Sequence, residues 1–329
     1  MPAIITKDFR VHNAEQFKES FGETADKYYL AIGRPQAFAN DQAFNDGTDT
    51  SPPTPVDDVG QVEYYAYDDF LSAKKIAETD VSIAIPRRNW ATGTVYDYYR
   101  HDYGDINSAG STIAADSGAT SLYDATFYVM NSTFDVYKCI DNNAGGASTT
   151  EPSGNKSTSV FSTADSYKWK YMYSLSASEQ ANFLSTDFMH VSTESSDFST
   201  TAGAIEHVKI TAGGSGGSNG TYTGVAIRGD GSSGECTVVV SSNAVSAVTI
   251  TTAGSGYTFA SIKASDFGSV SSSDIDFIIS PPGGHASNIV TELGGFFVML
   301  NVNLTQADGS GDFSTGNDFR RIALLRNPT

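Results

Sequence analysis

The side chains able to do chemistry are few and poorly spaced for it. His12, His101, His190, His207 and His285 are dispersed, with no H-x-H or H-x-x-x-H spacing that would offer a metal two nitrogens from one face. His285, in the run P-P-G-G-H, is the one a glycine-flanked loop would present. Cys139 and Cys236 form no C-x-x-C pair, so neither a zinc site nor a disulfide framework is expected, and a reducing compartment fits. The run G-G-S-G-G-S-N-G over residues 213–220 invites a phosphate-loop reading. Such a loop needs Lys-Ser/Thr after its last glycine and then a helix. Here Thr221, Tyr222 and Thr223 continue as a strand, so a hairpin loop is expected. No G-x-S-x-G elbow occurs.

Carboxylates are plentiful, and a glycosidase needs only two of them about 5–10 Å apart. Asp57/Asp58, Asp68/Asp69, Asp274/Asp276 and Glu292 are the candidates, but none sits in a recognisable motif, and solvated surface acids account for them. The acidic stretches 308–312 and 141–145 lack the full ligand series of a calcium loop. No catalytic residue, cofactor-binding residue or metal ligand is therefore assigned. The chain is expected not to be an enzyme and to have no small-molecule substrate.

One cluster stands out from the acidic background. Arg87, Arg88 and Trp90 follow a strand and lead to Tyr96, Tyr98 and Tyr99. Arg, Trp and Tyr are enriched at binding hot spots because they desolvate large areas while keeping directional contacts. Arg87, Arg88, Trp90, Tyr98 and Tyr99 are accordingly the candidate partner-binding residues. The alternative is that the arginines neutralise carboxylates within the fold. Arg320, Arg321 and Arg326 form a second basic group.

The elements that must hold these residues fall into three zones. Residues 1–202 are rich in Tyr and Phe. Asn13, with Gln16 three residues on and Phe17 and Phe21 four apart, suggests a short helix. Residues 27–32 read as a strand broken by Gly33 and Pro35, and 51–55 (S-P-P-T-P) as an extended loop. Asp68 or Asp69 opens a second expected helix carrying Phe70, Leu71 and Ile76. Strands are expected at 81–85, 126–130, 135–140 and 167–175, with a polar loop over 142–155.

Residues 203–276 change texture to Gly, Ser, Thr, Val and Ala and repeat a skeleton, V-x-I-T…A-G…G…Y-T-x-x-x-I, in copies starting near His207 and Ala247. They are expected to form an inserted all-β module of two related hairpin units, since two copies are too few for a solenoid. Residues 277–329 return to the first texture, with strands expected at 277–279, 295–302 and 319–325. The core domain is thus expected from 1–202 and 277–329.

Length and charge bound the partners. The chain has 329 residues, with Lys+Arg 20 against Asp+Glu 38, a net charge of −18. That acidity argues against nucleic acid and anionic membrane surfaces as partners. No apolar run reaches the roughly 18 residues of a membrane span, and the first residues do not read as a signal peptide.

Four segments occur in one order: A-I-G-R (31–34), I-P-R-R-N-W (85–90), W-K-Y-M-Y-S-L (169–175) and N-D-F-R-R-I-A-L-L-R-N-P (317–328). Together they resemble the gene product eight type of baseplate wedge subunit of T-even-like contractile-tailed bacteriophages, over about 1–184 and 280–329. The resemblance implies a mainly β (α+β) fold: a layered antiparallel β-sandwich core with a few short helices in end loops. It implies a structural protein of the virion's tail baseplate, a homodimer that binds other wedge subunits and is assembled in the host cytoplasm. The Gly-rich zone looks inserted relative to that family, and the family continues past the Asn-Pro element, so a truncated end is expected here. A β-decoration binding carbohydrate or a neighbouring protein through Tyr222, Tyr257 and Phe259 is the competing reading. A tail glycan hydrolase, resting on acidic count alone, is the weakest.

Overall fold

Alternation of apolar and polar residues, ended by Gly, Pro and Asn, makes strand the prevailing regular element among the described residues. The structure, a computed structural model, describes residues 7–33, 48, 50–51, 70–106, 110–157, 159–191, 201–302, 319 and 322–328. In chain order the first elements are α1 (Lys7–Ser20), β1 (Tyr28–Gly33), β2 (Phe70–Lys75), β3 (Val81–Pro86), β4 (Tyr128–Met130), β5 (Asp135–Asp141) and β6 (Phe161–Ser162). Then come β7 (Lys168–Ser174), α2 (Ala177–Phe183), β8 (Phe188–His190), β9 (Ile205–Ala212), β10 (Gly220–Ala226), β11 (Arg228–Gly229) and β12 (Ser232–Ser241). The last are β13 (Ala244–Ser255), β14 (Ala260–Ser261), β15 (Asp274–Ile279), α3 (Ile289–Leu293), β16 (Phe297–Leu300) and β17 (Ile322–Arg326). The protein is β-rich, with several antiparallel sheets and a few short helices, as expected from its sequence.

The chain divides into two compact units, Met1–Val11 with Ile83–Phe297, and His12–Ser82 with Val298–Thr329. In the smaller unit β1 is the central strand between β17 and β2. Its small core joins Phe21, Tyr28, Ile76 and Val81, with Leu30 and Leu324 packed alongside. The Tyr28 ring packs against Phe21, tilted by 32° with 4.3 Å between centroids. Two expectations fail here. Asn13 does not cap a helix but lies in the middle of α1. The helix expected after Asp68/Asp69 is strand β2, because pairing with β1 from Lys75 to Phe70 uses its strict exposed/half-buried alternation.

In the larger unit a four-stranded sheet, β4-β5-β7-β6, carries the main core. Every residue from Asp135 to Ile140 is buried, so both faces of β5 are covered. Trp169, Tyr99, Tyr128, Tyr137, Tyr167 and Phe127 are the largest fully buried side chains. A helix the sequence reading missed, α2, is set by a capping box: Ser176 Oγ accepts from Glu179 N, and Glu179 accepts from Ser176 N. The signal was legible as S-x-x-E.

Residues 205–279 enclose a second hydrophobic cluster of their own, with Val208, Val238, Val240, Tyr257, Phe267 and Phe277 at its centre. The two copies of the repeat do not close on themselves as hairpins. β9 pairs with β15, and β13 pairs with β12, whose turn runs through Ser242 and Asn243 at φ +52° and +62°. Each copy's first strand finds its partner outside the copy.

Candidate functional site

The distinctive feature of the larger unit is a set of charged side chains held between the β5–β7 sheet and the β9–β15 ribbon. Its origin is a spacing. On β9 the core-facing residues are Ile205, Val208 and Ile210, a gap of three and then two. The register shifts between Ile278↔His207 and Ile279↔Ile205, so Glu206 is an extra residue in the ladder, a β-bulge. With the bulge, Ile205, Val208 and Ile210 and their β15 neighbours Ile275, Phe277 and Ile279 share one apolar face. His207 and Lys209, with Ile278 and Asp276 opposite them, occupy the other.

That other face is shut from water at its Glu206 end and partly exposed beyond it. Glu206 reaches Lys138 (Oε2 to Nζ, 3.1 Å) and Lys170 (Oε1 to Nζ, 3.1 Å), with side chains 2%, 0% and 10% exposed. Lys138 also donates to Glu292 Oε1 at 2.5 Å and rests 4.1 Å above the Tyr99 ring. Farther along the ribbon, Asp141 Oδ2 lies 3.0 Å from His207 Nε2 and 3.2 Å from Lys168 Nζ. Lys209 donates to Asn142 Oδ1 at 3.1 Å and sits 3.8 Å over the Tyr98 ring. At the far end Arg100 donates to Asp276 through Nη1 and Nη2, at 2.5 and 2.9 Å, and to Asp102 through Nε and the shared Nη2.

The electrostatics are balanced. Burial alone would lower the pKa of Lys138, but Glu206 and Glu292 outweigh it and hold the ammonium above its usual range. Burial would raise Glu292, yet Lys138 and His285 bring it down to about 2. Glu206 is likewise lowered against its own burial by Lys138 and Lys170. Burial, with the charge of Lys138 across the ladder and against the pull of Glu206, lowers Lys170. Two lysines and two glutamates cancel, and burial together with Lys138 pushes His285 below its usual range. His285 Nε2 lies 2.9 Å from the Tyr171 carbonyl oxygen and Nδ1 3.3 Å from Glu292 Oε1. The loop histidine that the sequence presents is thus interior, 4% exposed.

The sequence-derived partner-binding residues separate in the structure. Tyr98 and Tyr99 are buried, at 9% and 1% exposure, and lie beneath Lys209 and Lys138. Arg87, Arg88 and Trp90 are half-buried, around exposed Asn89. Arg87 donates to the Ser185 carbonyl at 2.7 Å and to Asn89 Oδ1 at 3.0 Å. Arg88 donates to the Ala125 carbonyl and lies 4.5 Å over the Tyr128 ring. Trp90 Nε1 donates to Ser148 Oγ at 3.0 Å, which donates in turn to Asp165. Asp165 also accepts from Thr149 N, Thr150 N and Thr163 Oγ1, and despite partial burial these bonds bring it to about 2.

Arg326 pairs with Asp26 at 2.7 Å, while Arg320 and Arg321 lie outside the described residues. So do Arg34, Asp57/Asp58, Asp68/Asp69, the 308–312 stretch and most of the proline-rich loop at 51–55. Among the described residues no group of three His, Cys, Asp or Glu could hold a metal ion. Of the aromatics offered for carbohydrate, Tyr257 is 2% exposed and hydrogen-bonded to Ile227 O and Gly234 N, and Tyr222 bonds Ser218 O, whereas Phe259 is 61% exposed. The acids expected at the surface, Glu292 and Asp276 among them, line this seam instead, and the I-x-x-V-x-I spacing at 205–210 is its signal in the sequence.

Fold and site together define a β-rich scaffold locked by internal charge. The family described as Bacteriophage T4, Gp8, a baseplate wedge subunit, matches residues 3–143. The matched stretch includes the I-P-R-R-N-W segment and β5 with Lys138, and it supports a structural role in a phage tail baseplate wedge. No curated protein matches the chain.

Proposed function

We propose that this chain acts in assembly of the baseplate wedge and in its rearrangement on host attachment, as a homodimer that binds other wedge subunits. The family match over residues 3–143 carries this reading. On it, the protein is assembled in the host cytoplasm, works through protein contacts alone, and needs neither nucleic acid, membrane, cofactor nor substrate. Arg87, Arg88 and Trp90 are the proposed partner contact. Their half-exposed edges surround Asn89, while their buried edges are already fixed to the fold, which would present them in one conformation. Residues 203–276 are proposed as a module inserted into a core formed by 1–202 and 277–329, a reading supported by the separate cluster at 205–279.

Light scattering of the purified chain tests the dimer, expected at 2 × 34.9 = 69.8 kDa. Mixing with candidate wedge proteins then tests the contact. The Arg87→Ala/Arg88→Ala variant is expected to keep its mass and lose co-migration with its partner. A monomer that joins no wedge protein would overturn the reading.

A further inference from the structure

We infer that residues 205–279 form a lobe that swings off the β5–β7 sheet as a unit, by parting the charged seam. The two hydrophobic clusters are separate, and the β9–β15 ribbon is the wall between them. On the wall's seam side the contacts are polar: Glu206 with Lys138 and Lys170, His207 with Asp141, Lys209 with Asn142, and Asp276 with Arg100. Ile278 is the one large apolar side chain of the ribbon on that side. Parting the seam therefore uncovers Ile278 and the Tyr98 ring and otherwise exchanges ion pairs for hydration, an exchange that is close to balanced. Parting either cluster would expose apolar area with no such compensation.

Two further observations favour this division. The seam is incompletely packed: a cavity of about 320 Å³ lies at its Lys170 end, with Ser159, Val160 and Lys170 on one side and Ile205, Glu206 and Ala253 on the other. The lobe's two chain connections are also clipped together. Ser280 N donates to Ala204 O, Ala204 N donates to Ser280 Oγ, and Ser280 Oγ donates to Thr201 O. Beyond the clip, Gly283 and Gly284 adopt φ of +83° and +95°, a freedom that suits a hinge. The clip ties the two connections at 201–204 and 280 together, and the lobe's internal ladders need not break for it to move.

Side-chain labelling of the full chain tests the proposal. Lys138, 0% exposed when the seam is closed, is titrated with a water-soluble acetylating reagent and located by peptide mass. Amide hydrogen exchange of the β5–β7 and β12–β13 ladders is followed in parallel. In the unaltered protein Lys138 is expected to be acetylated while both ladders stay protected. Glu206→Gln leaves two buried ammonium groups short of a carboxylate, and Arg100→Ala releases the far end of the seam. Each is expected to speed labelling roughly tenfold or more with both ladders still protected. Labelling that appears only together with loss of ladder protection, or an Arg100→Ala rate equal to that of the unaltered protein, overturns the proposal.

Discussion

Lys138 on β5 and Lys170 on β7 stand directly opposite each other in the ladder, and the two oxygens of Glu206 reach one ammonium each. Like charges at directly opposed positions repel. Here the opposition becomes a receptor for a single carboxylate delivered by a bulge of another strand.

Glu206→Gln removes that carboxylate and is expected to lower stability to urea by about 1–3 kcal/mol, with the ceiling set by the free energy of parting the seam. Adding Lys170→Met removes the uncompensated repulsion and should recover part of the loss. Urea midpoints of the two single variants and the double close the cycle; additive effects would contradict the shared bridge.

Acid should unfold the protein through these same groups. Glu292 and Asp141 are held at about 2 in the folded chain. Their ordinary values are 4.5 and 3.8, so the folded state binds fewer protons than the unfolded one between those limits. Their contribution is present above about pH 4.5 and is lost as pH falls through about 2. His285, lowered from 6.5, adds a shallower loss beginning below that pH, because the unfolded imidazole takes up a proton that the folded one resists. Urea midpoints measured from pH 7 to pH 2 should fall in this order. Glu292→Gln should flatten the lower part of the curve.

Asp165 anchors Trp90 through Ser148. Asp165→Asn leaves several of its hydroxyl and backbone donors without an acceptor and should cost about 1–3 kcal/mol. Trp169 is fully buried and Trp90 half-buried, so a red shift in tryptophan emission at unchanged secondary structure would report release of Trp90.

Gly294 ends α3 at φ +75°, and a Cβ there would meet the Tyr123 ring at 2.5 Å. Gly93 has a similar φ of +81° with nothing within 4 Å. Gly93→Ala is expected to cost only the backbone term, about 1–2 kcal/mol. Gly294→Ala should cost clearly more, and thermal melting of the two variants separates contact from conformation.

The sequence alone determined the strands whose alternation is strong. Residues 81–85, 135–140 and 167–175 become β3, β5 and β7 within a residue or so. It also determined the resemblance to the wedge family, carried by short segments whose order survives any folding. It could not decide β2, which is a strand because β1 offers it a ladder. It marked Arg87, Arg88, Trp90, Tyr98 and Tyr99 as one group, yet only the fold separates half-exposed arginines from tyrosines that floor a charged seam. Nor could it say what the polar side of β9 would face. Alternation establishes that His207 and Lys209 point away from Val208 and Ile210, and water is the simplest occupant of that side. The tertiary structure places charge there instead, because Lys138 finds Glu292 at a separation of 154 residues and Arg100 finds Asp276 at 176. Burying a charge is tolerable only beside its partner. Local pattern carries no information about partners that far along the chain.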